Sequence, residues 1–105
     1  MSEFLLKWLN DEIHLSKKIT NISNDFYNGY LFAELLYKTR QIPSLKKFKN
    51  TSNISDIINN FSLLDNYFTE IKTPLTENAK KKIMNKDIYT AVLYLHKIRQ
   101  SISVK

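Results

Sequence analysis

The sequence predicts an all-α domain, a bundle of four principal helices with short connecting helices. Three observations carry that expectation. In four separate segments apolar residues recur every three or four positions, the spacing that lines one face of a helix. No segment alternates apolar and polar residues for long enough to propose a strand. The two prolines, Pro43 and Pro74, fall between the periodic segments, where proline and the restricted residue before it end helices. With 105 residues, 43% of them apolar and 25% charged, one core and therefore one domain over residues 1–105 is expected.

The first helix is expected from Ser2, as N-cap, to about Glu12, with Leu5, Trp8, Leu9 and Ile13 on one face. Lys17 to Asn24 lacks a period and is rich in Ser, Thr and Asn, so it predicts a connection pinned to the core by Ile19 and Ile22. Asn24 or Asp25 is the candidate cap for a second helix reaching about Thr39. Its residues Phe26, Tyr30, Leu31, Phe32, Leu35 and Leu36 cover nearly the whole circumference, which places it centrally. Glu34 and Lys38, spaced i, i+4, predict its exposed strip.

This helix carries the chain's one glycine, Gly29, although glycine inside a helix costs about 1 kcal/mol relative to alanine. Close approach of a neighbouring helix is the favoured reason; a joint between a short turn and the long helix is the other.

After Ile42-Pro43, Leu45 and Phe48 are expected to anchor an irregular, lysine-bearing loop. A third long helix runs from about Ser55 to Glu70 with Ile54, Ile57, Ile58, Phe61, Leu64 and Phe68 at helical spacing. Thr76 and Glu77 open a short basic helix through Met84. The last helix spans about Asp87 to Ile102 on Ile88, Ala91, Val92, Leu95, Ile98 and Ile102. Neither repeats nor heptads occur, so a monomeric domain is expected.

The net charge of +6 is concentrated. Beyond Asn78 stand Lys80, Lys81, Lys82, Lys86, Lys97, Arg99 and Lys105 against Asp87 alone, and between Glu34 and Asp56 five cations stand without an acid. Such segments attract acidic polymers or surfaces. Lysine outnumbers arginine fourteen to two, so ordinary solvated lysines are the competing explanation.

Catalytic chemistry is not indicated. There are no cysteines, and His14 and His96 have no ligand-spaced companions. One glycine does not build a phosphate-cradling loop, and the carboxylates Asp11, Glu12, Asp65 and Glu70 fall on polar helix faces. No cofactor is expected. Nucleic-acid binding is disfavoured, because there is no recognition-helix motif and the tyrosines mostly fall in apolar stripes. The acidic, charge-interrupted start argues against a signal peptide or membrane span, so a cytoplasmic protein is expected.

Three stretches resemble the calponin-homology domain: Lys7-Trp8-Leu9-Asn10, like the family's tryptophan-centred opening; DFYNGYLFAELL, Asp25 to Leu36, like its glycine-containing signature; and Asn60-Phe61 with Leu63-Leu64, like the core of its central helix. Their order covers nearly the whole chain, and the match is closest to the divergent branch at the N-terminus of flagellar proteins. The resemblance implies the N-terminal domain of a longer protein in a cilium or flagellum. Lys86-Asp87-Ile88-Tyr89-Thr90 lacks the glycine that typical members carry before the last helix, and the domain is single, which argues against actin.

Single domains of this kind are associated with tubulin. The resemblance therefore implies a non-catalytic module binding microtubules or the axonemal central apparatus through Lys46, Lys47, Lys49, Lys80, Lys81, Lys82 and Lys86. The alternative is a structural adaptor of the axoneme that does not touch tubulin.

Overall fold

A computed structural model describes residues 3–103, and their order is α1 (Glu3–Lys7) continuing into a π-helical stretch (Trp8–Ile13), then α2 (Ile22–Phe26), α3 (Tyr30–Lys38), α4 (Ile54–Glu70), α5 (Glu77–Met84) and α6 (Ile88–Ser103). The domain is all-α, and no strand occurs among the described residues. The expected Ser2 cap lies outside them. The first helix is not α-helical throughout: it widens at Trp8 into π geometry, a rare form found mostly as single turns within α-helices.

The second predicted helix is two helices. Asn21, rather than Asn24 or Asp25, caps α2 by accepting from the Asn24 amide, while the Asp25 carboxylate reaches back to the amides of Thr20 and Asn21 and pairs with Lys17. The chain then turns at Gly29, which has φ +85° and sits immediately before α3. Both roles foreseen for this glycine hold. It is a joint, and a Cβ there would lie 3.2 Å from Asn60 Cβ and 3.2 Å from Phe61 Cε2 of α4.

The core gathers Leu5, Trp8 and Leu9 with the buried faces of every later helix, and Leu31, Leu35, Phe61, Leu64 and Leu95 all lie in it. A relay of rings crosses it: Phe26 to Phe32 at 4.9 Å, Phe32 to Phe68 at 5.8 Å and Phe68 to Tyr94 at 6.1 Å, joining α2, α3, α4 and α6. Ile19 and Phe48 pin their connections to the core as expected, whereas Ile22, also buried, opens α2, so the connection expected to reach Asn24 ends at Asn21.

Two expectations are corrected. Glu34 is buried, because its carboxylate accepts from Ser16 N at 2.6 Å and Ser16 Oγ at 2.7 Å, while Lys38 donates to the His14 carbonyl. The pair thus ties α3 to the end of the first helix and is no exposed strip. Ile54 and Ile58 lie on solvent, because the first turns of α4 project beyond the neighbours that cover Ile57 and Phe61.

Three helices end alike. After α3, Gln41 N bonds Leu36 O and Arg40 N bonds Tyr37 O; after α4, Thr73 N bonds Phe68 O and Lys72 N bonds Thr69 O; after α5, Asp87 N bonds Lys82 O and Lys86 N bonds Ile83 O. Each is a Schellman closure, with Arg40, Lys72 or Lys86 in the left-handed region where glycine is usual. A cation there also complements the negative end of the helix dipole.

Candidate functional site

The lysine loop is held in place by two buried amides. Asn60 donates from Nδ2 to the carbonyls of Asn28 at 2.9 Å and Lys49 at 2.8 Å, and its Oδ1 accepts from Lys49 N at 3.0 Å. Asn28 donates to Asn50 Oδ1 at 3.0 Å and Thr51 O at 3.1 Å, while its Oδ1 accepts from Tyr30 N at 2.9 Å, capping α3. Buried polar groups are costly unless bonded, and these two use nearly their full capacity to fix the backbone from Lys49 to Thr51. The glycine-containing signature and the Asn60-Phe61 pair are therefore one unit, meeting where Gly29 leaves room.

From this anchor α4 extends with two flanks. Leu63 and Tyr67 face the segment Pro43–Phe48, and Ile58 and Ser62 face Lys80, Lys81 and Met84 of α5. A helix turns about 100° per residue, so these pairs lie on different sides of α4, with exposed Ser55, Asn59 and Asn66 between them. Both basic segments thus border one ridge, which is uncharged from Asn59 to Asn66 and ends at the exposed Glu70.

The seven predicted lysines are not equivalent. Lys46 and Lys47 are exposed and line the cleft on one flank. Lys49 is exposed but lies 3.9 Å from Asp56. The Lys80 side chain is only 13% exposed, and its ammonium bridges Asp65 of α4 and Glu77 of α5. Burial lowers its proton affinity, but the hydrogen bonds to Asp65 and Glu77 outweigh it and hold Lys80 above the usual lysine range. The hydrogen bond from Lys80, followed by its charge, holds the Glu77 carboxyl below the usual carboxylate range.

Lys81 lines the α4–α5 cleft, and Lys82, next on the helix, is exposed about a quarter turn further round. Lys86 lies over the Tyr27 ring at 4.7 Å. The structure therefore brings Lys46 and Lys47 together and separates the three consecutive lysines of α5, whose first member is a structural tie. Sequence pattern did not mark Asn28 and Asn60 as the loop's supports; the one available signal was two asparagines amid otherwise apolar helical stretches.

Among the described residues no three His, Cys, Asp or Glu side chains gather to hold a metal, and no helix is long and apolar enough to cross a membrane. Residues 5–100 match a family described as a CH-like domain in sperm protein.

The chain belongs to this family of CH-like domains.

It is similar to sperm flagellar protein 2 of Mus musculus, 26% identical over 107 residues that cover 100% of this chain and 6% of that protein. Against the Homo sapiens protein of the same name it is 29% identical over 98 residues, 90% of this chain and 5% of that protein. This CH-like chain thus spans a small fraction of the curated relatives it matches. No solved structure matches it.

Proposed function

We propose that this CH-like domain is a non-catalytic binding module of a flagellar protein, acting as one domain of a longer chain. Its partner is the acidic surface of microtubules or of a tubulin-rich axonemal assembly. The observation that carries the reading is the placement of the two basic segments on either flank of the exposed ridge of α4. Lys46 and Lys47 on one flank and Lys81 on the other stand exposed and form no ion pair among the described residues, although Lys81 lies near enough to Glu77 to help lower its carboxyl, and Lys82 adds an exposed charge further round α5. Such a surface, bordered by cations and carrying one acid, Glu70, at the far end of its ridge, complements an extended acidic one.

Lys86 adds charge, while Lys49 and Lys80, facing their own carboxylates, contribute less. Co-pelleting of the folded domain with microtubules at low and high salt tests this. Pelleting that falls as salt rises is expected, since the Debye length shrinks from about 10 Å at 0.1 M to about 3 Å at 1 M. Absence of pelleting at low salt would reject tubulin as the partner.

A second reading, an axonemal adaptor without tubulin contact, draws on a different face. Tyr89 is 83% and Leu93 49% exposed on α6, one turn apart on its outer side. Loss of binding to axonemal extracts on Tyr89→Ser and Leu93→Ser, with microtubule pelleting absent, would favour it.

A further inference from the structure

The cleft between the Pro43–Phe48 segment and α4 combines an apolar floor with a cationic rim. It encloses about 340 Å³, at the lower end of the about 300–1,000 Å³ typical of ligand clefts. Its floor is apolar, built from buried Phe48 and half-buried Leu63 and Tyr67, the last two spaced i, i+4 on α4. Lys46 and Lys47 form its rim, and no acid lines it.

At Pro43 it meets a second, shallower depression of about 640 Å³ lined by Tyr37, Lys38 and Arg40, again without an acid. The Lys38 ammonium is engaged by the His14 carbonyl, whereas Lys46, Lys47 and Arg40 form no ion pair among the described residues. The α4–α5 cleft makes the contrast: it also has an apolar floor, but Lys80 is neutralised there by Asp65 and Glu77.

An open apolar slot with an unpaired cationic rim is incomplete as a free surface. Burying one phenyl or leucyl side chain is worth about 1.5–3 kcal/mol, yet such a group arrives on a soluble partner flanked by polar residues, and the rim selects which. Nucleic acid would offer the opposite charge but no flexible apolar side chain for the slot.

We propose that this groove docks a short acidic peptide segment, seating one apolar side chain against Leu63, Tyr67 and Phe48 while Lys46, Lys47 and Arg40 receive the flanking carboxylates. The proposal deepens the reading of an acidic partner, on which it rests for its biological setting, by naming the anchor that charge alone does not supply. The bonds of Asn28 and Asn60 fix the backbone immediately after Phe48, which anchors one end of the slot-lining segment and reduces the ordering cost of binding.

The test uses synthetic peptides rather than microtubules, so that it separates from the pelleting assay. A labelled polyglutamate peptide with one central phenylalanine, the same peptide with glycine in its place, and a single-stranded oligonucleotide of equal charge are titrated against the domain. Fluorescence anisotropy and backbone-amide NMR follow the binding. The phenylalanine peptide is expected to bind at least about tenfold more tightly than the glycine one, with amide shifts centred on Phe48, Leu63 and Tyr67.

Lys46→Glu with Lys47→Glu abolishes binding of both peptides. Leu63→Ser, checked for folding by circular dichroism, removes the preference for phenylalanine and leaves the charge-driven part. Equal affinity for the two peptides, tighter binding of the oligonucleotide, no binding at all, or shifts centred away from the slot would each overturn the proposal. Salt-sensitive pelleting on microtubules with no preference between the peptides would defeat the groove alone; a clear preference without pelleting would defeat tubulin as partner and leave the groove standing.

Discussion

At Gly29 the backbone takes φ +85°, and His14, Arg40, Lys72 and Lys86 share a positive φ without being glycine. Backbone conformation alone therefore does not explain where the glycine stands. The other four are exposed and their side chains run into solvent, whereas Gly29 is buried with Asn60 and Phe61 against the position a Cβ would take. Two substitutions of opposite sign separate the causes. Lys72→Gly relieves a left-handed side chain, worth about 1–2 kcal/mol, but forfeits a favourable dipole contact, so a gain of up to about 1 kcal/mol in urea denaturation is expected.

Gly29→Ala adds strain and crowding together and is expected to cost about 2–3 kcal/mol, because the Asn60 side chain is fully buried and held by three hydrogen bonds and has little room to give. A neutral Gly29→Ala would show that α4 does not press on this joint. Asn60→Leu leaves the Asn28 carbonyl and both Lys49 backbone groups without partners; a loss of at least about 2 kcal/mol is expected, together with faster amide exchange in the Lys49–Thr51 backbone.

Among the elements, α5 is fastened to α4 by charge. Lys80 fastens its first turns to Asp65 on α4. The Glu77 carboxyl, held low by Lys80, contributes stability that is present above the unfolded carboxylate value near 4.3 and is lost as pH falls through the lower folded value. Lys80, with its proton affinity raised, contributes fully below about 10.4 and loses that contribution as pH rises through its higher folded value. Lys80→Met is therefore expected to cost about 1 kcal/mol at neutral pH, and the difference from wild type should shrink as pH falls through the lowered folded value of the Glu77 carboxyl. A difference that persists in acid would mean that packing of the lysine stem, and not its charge, holds α5.

The helices themselves were legible because their signals are local: Thr76 accepts from the Ala79 amide at 3.0 Å as the capping pattern predicts, and Pro43 and Pro74 stand outside every helix. Glu34 was misread because its partner, Ser16, lies eighteen residues away while the suggestive Lys38 lies four away. That Lys80 meets Asp65, fifteen residues distant, was hidden for the same reason.

At the scale of the whole molecule, about 32 × 26 × 24 Å, the question is whether the scattered cations act as one surface. Charge asymmetry along the chain was visible in the sequence; which lysines remain available was not, since that depends on carboxylates brought up by the fold. The geometry divides the available ones into a loop pair, Lys46 and Lys47, on one flank of the α4 ridge, and a helix pair on α5, of which Lys81 lines the cleft on the other flank and Lys82 points further round the helix.

If both flanks meet the same acidic surface, reversing either pair to glutamate should weaken microtubule pelleting by about tenfold or more, and reversing all four should abolish it, with the fold intact because all four are exposed. The salt dependence should also become shallower in each double variant, since fewer counter-charges are engaged. Lys80 must be left alone in this experiment, because its reversal would place a third carboxylate beside Asp65 and Glu77 and confuse unfolding with lost binding. Should the loop pair matter and the helix pair not, the contact is confined to the Pro43–Phe48 flank and its cleft, and the α4 ridge is not the centre of the interface. Should neither matter while wild type still pellets, tubulin stands as partner and the binding face lies elsewhere on the domain.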